Sequence, residues 1–387
     1  STVTATDGET SLVGTEVSGK WTFQIPSYGV WNITATLNGQ TATTSVSVTE
    51  VKQYTVTLTY FAATIAVTYP SGSTCTCSNG TTTLTAPNTT GSYTFTVPSA
   101  GTWTVKSTSG TDTAQQAISI TTNGQSASVT LSYKPTASTS AKPGVNYTTG
   151  ISSLTAEKMS LYAEAISRNS AITNTTSTVY IDDGASHYKI SVGDSINIAI
   201  NGTSYAFKIM GFNHDTLTSS TAYGSTTVTG KAGMTLQMVD CLATTASMNS
   251  SNTNSGGWES CAMRTNMATY LSQLTSAWQS VVKQVNKLSS AGNQSTTIKT
   301  TADKLFLLSE VEIFGSTTYS VSGEGTQYAY YKAGNSKVKN RNGSADLWWE
   351  RSPRASNSTY FCFVISGGNA DSSYASVSIG VAFGFCV

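Results

Sequence analysis

An internal repeat constrains this chain more than any other feature. The segment Trp21-Thr-Phe-Gln-Ile-Pro26-Ser-Tyr-Gly29-Val-Trp31-Asn-Ile-Thr returns about 72 residues later as Tyr93-Thr-Phe-Thr-Val-Pro98-Ser-Ala-Gly101-Thr-Trp103-Thr-Val-Lys. Asp7-Gly8 and Leu12 return in phase as Asn79-Gly80 and Leu84. A fixed period of this kind marks one structural unit used twice. Within each copy apolar residues alternate with Thr or Ser, as in Trp21, Phe23, Ile25 and Trp31, Ile33, Ala35, which is the period of a half-buried strand. The Pro-Ser-x-Gly between the runs is a tight turn. The expected architecture is an immunoglobulin-like β-sandwich over residues 1–53 and again over 54–134, both copies serving as spacers. The second copy is expected to open with strands Tyr54–Tyr60 and Thr64–Tyr69. Ser1 leaves little sequence before Asp7, so the first copy reads as beginning inside its own fold, as the later part of a longer chain would.

After Tyr133 the pattern changes. Lys134-Pro-Thr-Ala-Ser-Thr-Ser-Ala-Lys-Pro143-Gly144 is polar with two prolines, and residues 135–150 read as a linker. Leu154, Met159, Leu161, Tyr162 and Ile166 then fall at helical spacing, with Ser152 or Ser153 as the expected cap. Lys189–Ile200, the turn Asn201-Gly202 and Tyr205–Phe212 read as hairpin strands. Helices are expected over Ala262–Leu274 and Ser276–Leu288, Leu305–Phe314 is expected to be buried, and Trp348-Trp349 with the run Tyr360–Val387 should close the unit with strands. Helices early and strands late around one core predict an α+β domain over 151–387.

Composition narrows the function. Of 387 residues only 11% are charged and the net charge is +1, which removes the electrostatic footprint of a nucleic-acid binder. The longest apolar run, Ile379–Val387, is far below the roughly 18 residues a membrane span needs, so no membrane insertion is expected. Six cysteines are too sparse for a disulfide scaffold and read mostly as packed thiols. Cys75 and Cys77 are read as facing opposite sides of a strand; a Cys362–Cys386 or Cys241–Cys261 bridge is the alternative. Asn213-His214-Asp215 reads as a turn rather than a catalytic pair. Asp182-Asp183-Gly184 and Asp194 could offer oxygens to calcium but lack any EF-hand spacing. No cofactor, metal or catalytic site is expected.

Four segments carry a family resemblance: Asp303-Lys-Leu-Phe-Leu-Leu-Ser-Glu-Val-Glu-Ile-Phe-Gly315, Gly323-Glu-Gly-Thr-Gln-Tyr328, Trp348-Trp-Glu-Arg-Ser-Pro353 and Gly380-Val-Ala-Phe-Gly-Phe-Cys-Val387. Over residues 150 to 387 the chain resembles the C-type-lectin-fold proteins of gut bacteria and their phages. That group includes the variable proteins of diversity-generating retroelements, such as phage tropism determinants on tail fibres. The resemblance implies a non-enzymatic receptor-binding protein of a virion tail, recognising a bacterial surface protein or glycan through its C-terminal strands and loops. A symmetric homo-oligomer, such as a trimer, is the implied assembly, and a bacterial cell-surface adhesin or carbohydrate-binding protein with the same head is the alternative. The fold also hosts formylglycine-generating oxidases, in which Cys362 and Cys386 would have to be the redox pair.

Adenine-directed mutation of an AAY codon cannot yield Trp, Met, Lys, Gln or Glu, and none of the five occurs between Arg351 and Val387. Trp348, Trp349 and Glu350 are therefore expected as scaffold. Arg354-Ala-Ser-Asn-Ser-Thr-Tyr360 and Ser366-Gly-Gly-Asn-Ala-Asp-Ser-Ser-Tyr374-Ala-Ser-Val-Ser378 mix Tyr, Ser, Gly, Asn and one Arg, as paratopes do. Alternation puts Tyr374, Ser376 and Ser378 on a solvent face and Ala375, Val377 and Ile379 opposite. The expected ligand-binding residues are Asp346, Arg354, Ala355, Ser356, Asn357, Ser358, Tyr360, Phe363, Ile365, Asn369, Ser372, Ser373, Tyr374, Ser376 and Ser378, with Phe363 and Ile365 as an exposed apolar patch.

Overall fold

A computed structural model describes residues 2–37, 40–109, 112–183, 186–223 and 230–387. Ser1 and Gly184, which entered the readings of the start and of the calcium turn, lie outside the described residues. The chain is multidomain and mainly β, with two compact units, Ser1–Tyr133 and Lys134–Val387.

In the first unit the sequence repeat becomes a structural one. Strands Thr2–Thr6, Ser11–Val13, Gly29–Leu37 and Gln40–Val48 are matched in phase by Thr74–Ser78, Thr83–Thr85, Gly101–Ser109 and Asp112–Ile120, and each set forms a four-stranded antiparallel sheet. The turns match atom for atom. Asp7 Oδ1 accepts from the amides of Glu9 at 3.0 Å and Thr10 at 2.7 Å, and Asn79 Oδ1 accepts from Thr81 at 3.0 Å and Thr82 at 2.7 Å. Gly8 and Gly80 take the positive φ, +98° and +89°, that follows this side-chain turn. Trp31 and Trp103 are sealed, each donating Nε1–H to a carbonyl four residues back, Ser27 at 3.3 Å and Ser99 at 3.0 Å. In the second copy a further sheet, Ser92–Val97, Ala63–Thr68 and Ser126–Thr130, covers the other side of the core, the last two strands parallel.

The boundary between the copies lies later than residue 53. Tyr54–Tyr60 is not a strand of the second copy; Tyr54, Leu58 and Tyr60 pack on the apolar cluster of the first, beside Trp31 and Ile33. Ser126–Tyr133 does the same for the second copy, with Val129 and Leu131 buried, so each repeat is closed by the segment after its long hairpin. Cys75 and Cys77 point to the same face, into one core, because residues two apart on a strand share a side.

The expected linker is folded into the second unit. Thr136–Ser138 pairs antiparallel with Thr178–Asp182, and Thr148–Thr149 pairs parallel with His187–Ser191. Ladder pairing uses backbone groups and needs no apolar side chain, and Pro135 and Pro143 sit outside the paired residues. Helix Ala156–Arg168 is capped by Thr155, whose hydroxyl accepts from the Lys158 amide, rather than by Ser152 or Ser153. Its buried face carries Met159, Tyr162, Ala163 and Ile166. The Asn201-Gly202 turn has φ of +48° and +78° and joins Ser195–Ile200 to Thr203–Phe212. These two strands continue through Met234–Met238 and Gly384–Cys386 to Leu305–Phe306, giving a five-stranded central sheet.

Helices and strands interleave here rather than segregating. Helices Gly257–Ser260, Ala262–Ser272 and Ser276–Val281 follow the strands up to Met238. The expected helix to Leu288 stops at Val281, and Val285–Ser290 is a strand paired with Ile298–Asp303. Burial of Val285, Lys287 and Ser289 alternates with partial exposure of Asn286 and Leu288, a period of two that outweighs the helical spacing of the valines. All six cysteines are buried and free, so neither the Cys362–Cys386 nor the Cys241–Cys261 bridge is present. Among the described residues no helix is long and apolar enough to cross a membrane.

Candidate ligand-binding surface

The tail forms a three-stranded antiparallel sheet of Trp348–Pro353, Tyr360–Val364 and Ala370–Tyr374. Its first strand is buried along its whole length. Pairing jumps from Trp349↔Phe363 to Pro353↔Phe361, so Glu350-Arg351-Ser352 bulges opposite Cys362. Arg351 spends all five of its N–H donors inside the protein: two on Glu312 at 2.5 and 2.8 Å, and one each on the carbonyls of Leu288, Leu307 and Glu324 at 2.9 Å. Lys287 likewise spends its three on Asp215 at 2.7 Å, Glu312 at 2.6 Å and the Tyr328 hydroxyl at 3.1 Å. Two cations and two carboxylates thus balance in the core, and the cations hold Asp215 and Glu312 below the ordinary carboxylate range despite burial. Glu350 has neither oxygen bonded, and burial, with Glu310 and Glu324 nearby, raises its carboxyl well above the usual range. The Trp-Trp-Glu-Arg-Ser-Pro segment is therefore interior scaffold.

On this scaffold the loop 354–360 is tied from beneath. Asn254, fully buried, donates Nδ2–H to the carbonyls of Asn357 and Tyr360, both at 2.7 Å, while its own amide donates to Ser358 O at 2.7 Å. Arg354 N–H reaches Tyr360 O at 3.0 Å and closes the loop, and Ala355 N–H reaches Tyr319 O at 2.8 Å. The Tyr319 backbone is fixed in turn by Glu310, whose carboxylate accepts from the amides of Tyr319 and Ser320. Irregular backbone here has its hydrogen bonds supplied from the core, which makes a loop rigid.

Above the loop the side chains converge. The Arg354 guanidinium lies over the rings of Tyr319 at 5.1 Å and Tyr360 at 5.6 Å. It donates from Nε to Ser356 Oγ at 3.2 Å and from Nη1 to Ser372 Oγ at 2.6 Å. Tyr360 and Tyr374 face each other across the strand pair, edge to face, with ring centroids 4.5 Å apart. Tyr374 is 46% exposed.

The structure thus brings Arg354, Ser356, Tyr360, Ser372 and Tyr374 together, with Ala355, Asn357 and Ser358 half-buried in the supporting loop. Ser373 is half-buried on the same strand as Ser372, while Ser376 and Ser378 are exposed, Ser376 bonding Asn252. Two expectations fail. Phe363 is only 6% exposed and packs edge-on against Trp349 at 6.0 Å, because Tyr360–Val364 is a middle strand covered on both faces. Ile365 is half-buried on the same core, so the apolar patch does not exist. The strand also ends at Tyr374; a turn follows, leaving Val377 outside while Ala375 and Ile379 go in. Asp346 and Asn369 lie elsewhere. Asp346 pairs with Arg341 on the hairpin before Trp348, at the opposite end of that strand from Arg354, and Asn369 sits in the turn after Ile365. Tyr319 and Asn254 escaped the sequence reading; Ser316-Thr-Thr-Tyr-Ser320 has the same composition as the tail loops, and that was the available signal.

Two shallow grooves of the unit, one of about 340 Å³ beside Arg264, Leu271 and Lys304 and one of about 270 Å³ beside Tyr205, Asp240 and Asn342, contain no tail residue. His214 stacks on Tyr328 at 3.9 Å, and Asp215 is committed to Lys287. Asp182 and Asp183 are paired with Lys142 and Lys158, and Asp194 accepts from Ser191 N–H in a turn. Among the described residues no group of His, Cys, Asp and Glu is arranged to hold a metal ion.

Residues 232–387 match the protein family described as a domain of unknown function (DUF6273), a stretch that includes the entire tail sheet, Asn254 and Tyr319. No curated protein matched the chain.

Proposed function

We propose that this chain is a non-enzymatic receptor-binding protein, in which two immunoglobulin-like repeats carry a C-type-lectin-like head whose tail platform recognises a ligand on a bacterial surface. The observation that carries this reading is the Arg354–Tyr360–Tyr374 cluster. It combines the exposed ring of Tyr374 with the half-buried Tyr360 ring and Arg354 guanidinium, residue types that dominate binding energy at interfaces, on a loop whose backbone is fixed by Asn254 before any ligand arrives. A display setting on a phage tail or fibre, as a symmetric oligomer, suits a flat site, since repeated copies multiply weak contacts. A bacterial surface adhesin with the same head would use the same platform. The thiols of Cys362 and Cys386 are sealed and pushed far above their ordinary range by burial, opposite to what a redox-active cysteine requires.

The test replaces Arg354, Tyr360 and Tyr374 together by Ala and measures adsorption to host cells beside thermal unfolding. Adsorption should fall at least tenfold with the unfolding midpoint little changed. Undiminished adsorption by the folded variant would remove the proposal.

A further inference from the structure

The platform holds a positive charge that the protein itself leaves uncompensated. The other four arginines of the second unit contrast with it: Arg351 is matched to Glu312 in the core, and Arg168, Arg264 and Arg341 are paired with Glu164, Asp303 and Asp346. Arg354 alone of these has only neutral partners, the hydroxyls of Ser356 and Ser372 and the faces of two tyrosines. Among the described residues no carboxylate oxygen comes within 4.0 Å of its nitrogens. Asp371, next in sequence to Ser372, turns its Oδ1 to the Ser372 amide instead. A guanidinium has five donors, and two are spent here, so three remain.

The position of those donors is fixed. Stacking on Tyr319 and Tyr360 holds the guanidinium plane, and the two serine bonds set its rotation, so little side-chain entropy remains to be lost on binding. Around it the platform offers the short hydroxyl and amide side chains of the loop, Ser356, Asn357 and Ser358, and the half-exposed ring of Tyr374. Phe363 is sealed inside and adds no apolar anchor to the platform.

Resting on the receptor-binding reading above, we infer that the ligand is a carboxylated glycan. A uronic- or sialic-acid residue would place its carboxylate on Arg354, its ring on Tyr374 and its hydroxyls among the serines. The charge complementarity argues for the carboxylate, since a guanidinium with donors to spare and no anionic partner suits that anion. The short hydroxyl and amide side chains beside it, Ser356, Asn357 and Ser358, argue for sugar over acidic peptide.

The experiment probes the full chain with immobilised polyuronate and sialylated oligosaccharides, with carboxyl-reduced versions of each, and with an acidic peptide. Wild type should bind the carboxylated glycans at least about tenfold more tightly than the reduced ones, the range of one charge-assisted hydrogen bond. Arg354→Gln should abolish that preference, and Arg354→Lys should restore only part of it. Equal binding of native and reduced glycans, or binding of the peptide alone, overturns the inference. Host-cell adsorption separates this failure from that of the receptor-binding reading. Adsorption lost in Tyr360→Ala/Tyr374→Ala but kept in Arg354→Gln, with both variants melting as wild type, leaves the receptor-binding reading standing and discards the carboxylate. Adsorption kept in both discards the two together.

Discussion

Glu324 shows how the head's interior couples to pH. Burial, the dominant influence, raises its carboxyl from 4.5 to about 7, although the Ser290 amide at 2.6 Å and the Ser352 hydroxyl bond it as an anion. The folded chain therefore keeps a proton between pH 4.5 and about 7 that the unfolded chain has released. Stability from this group is complete below 4.5 and falls as pH rises toward 7, by at most about 1.4 kcal/mol per pH unit. Glu350 acts in the same direction, whereas Asp215 and Glu312, depressed by Lys287 and Arg351, lose their contribution only in stronger acid. Glu324→Gln, neutral throughout and still able to accept from Ser290, should flatten the decline between pH 5 and 7 in urea midpoints; parallel profiles for variant and wild type would refute this. At this scale the sequence was readable where residue type left little freedom. Trp348, Trp349 and Glu350, expected as scaffold, lie inside, and Arg354, Tyr360 and Tyr374 meet at the surface, with Tyr374 exposed and the other two half-buried. Phe363 was misjudged because two-fold alternation assigns a face only when one face is wet, and its strand has neighbours above and below.

Among elements, the repeated four-stranded sheet is the most legible part of the chain. The period of about 72 residues fixes strands, turns and tryptophan bonds alike, down to the shared Asx geometry of Asp7 and Asn79. Trp31→Phe and Trp103→Phe should consequently destabilise their copies by similar amounts, roughly 1–3 kcal/mol each for a lost indole bond and an orphaned carbonyl. Differential scanning calorimetry of the two variants measures this, and costs that differ by more than about 1 kcal/mol would break the equivalence. Elements defined by backbone pairing alone were invisible. Thr136–Ser138 joins a sheet with no apolar pattern to announce it, and Val285–Ser290 carried a helical spacing of valines while Lys287 needed an extended chain to lie between Asp215 and Glu312.

At the level of the whole molecule, the second unit owns a single continuous core, from Ala137 and Ile151 through Val387, with its charged quartet enclosed. A core of that kind defines an independently folding domain. Residues 134–387 produced alone should melt cooperatively by circular dichroism at the temperature of the same transition in the full chain; a fragment without a cooperative transition would contradict this. The placement of Gly384–Cys386 between Met234–Met238 and Leu305–Phe306 has a further consequence during synthesis. Both neighbours precede it in the chain, and until it inserts the sheet stays split between a three-stranded part and Leu305–Phe306. A frameshift anywhere in the loops of the platform also replaces this strand, so such a product would lack the segment that joins Met234–Met238 to Leu305–Phe306 and completes the central sheet.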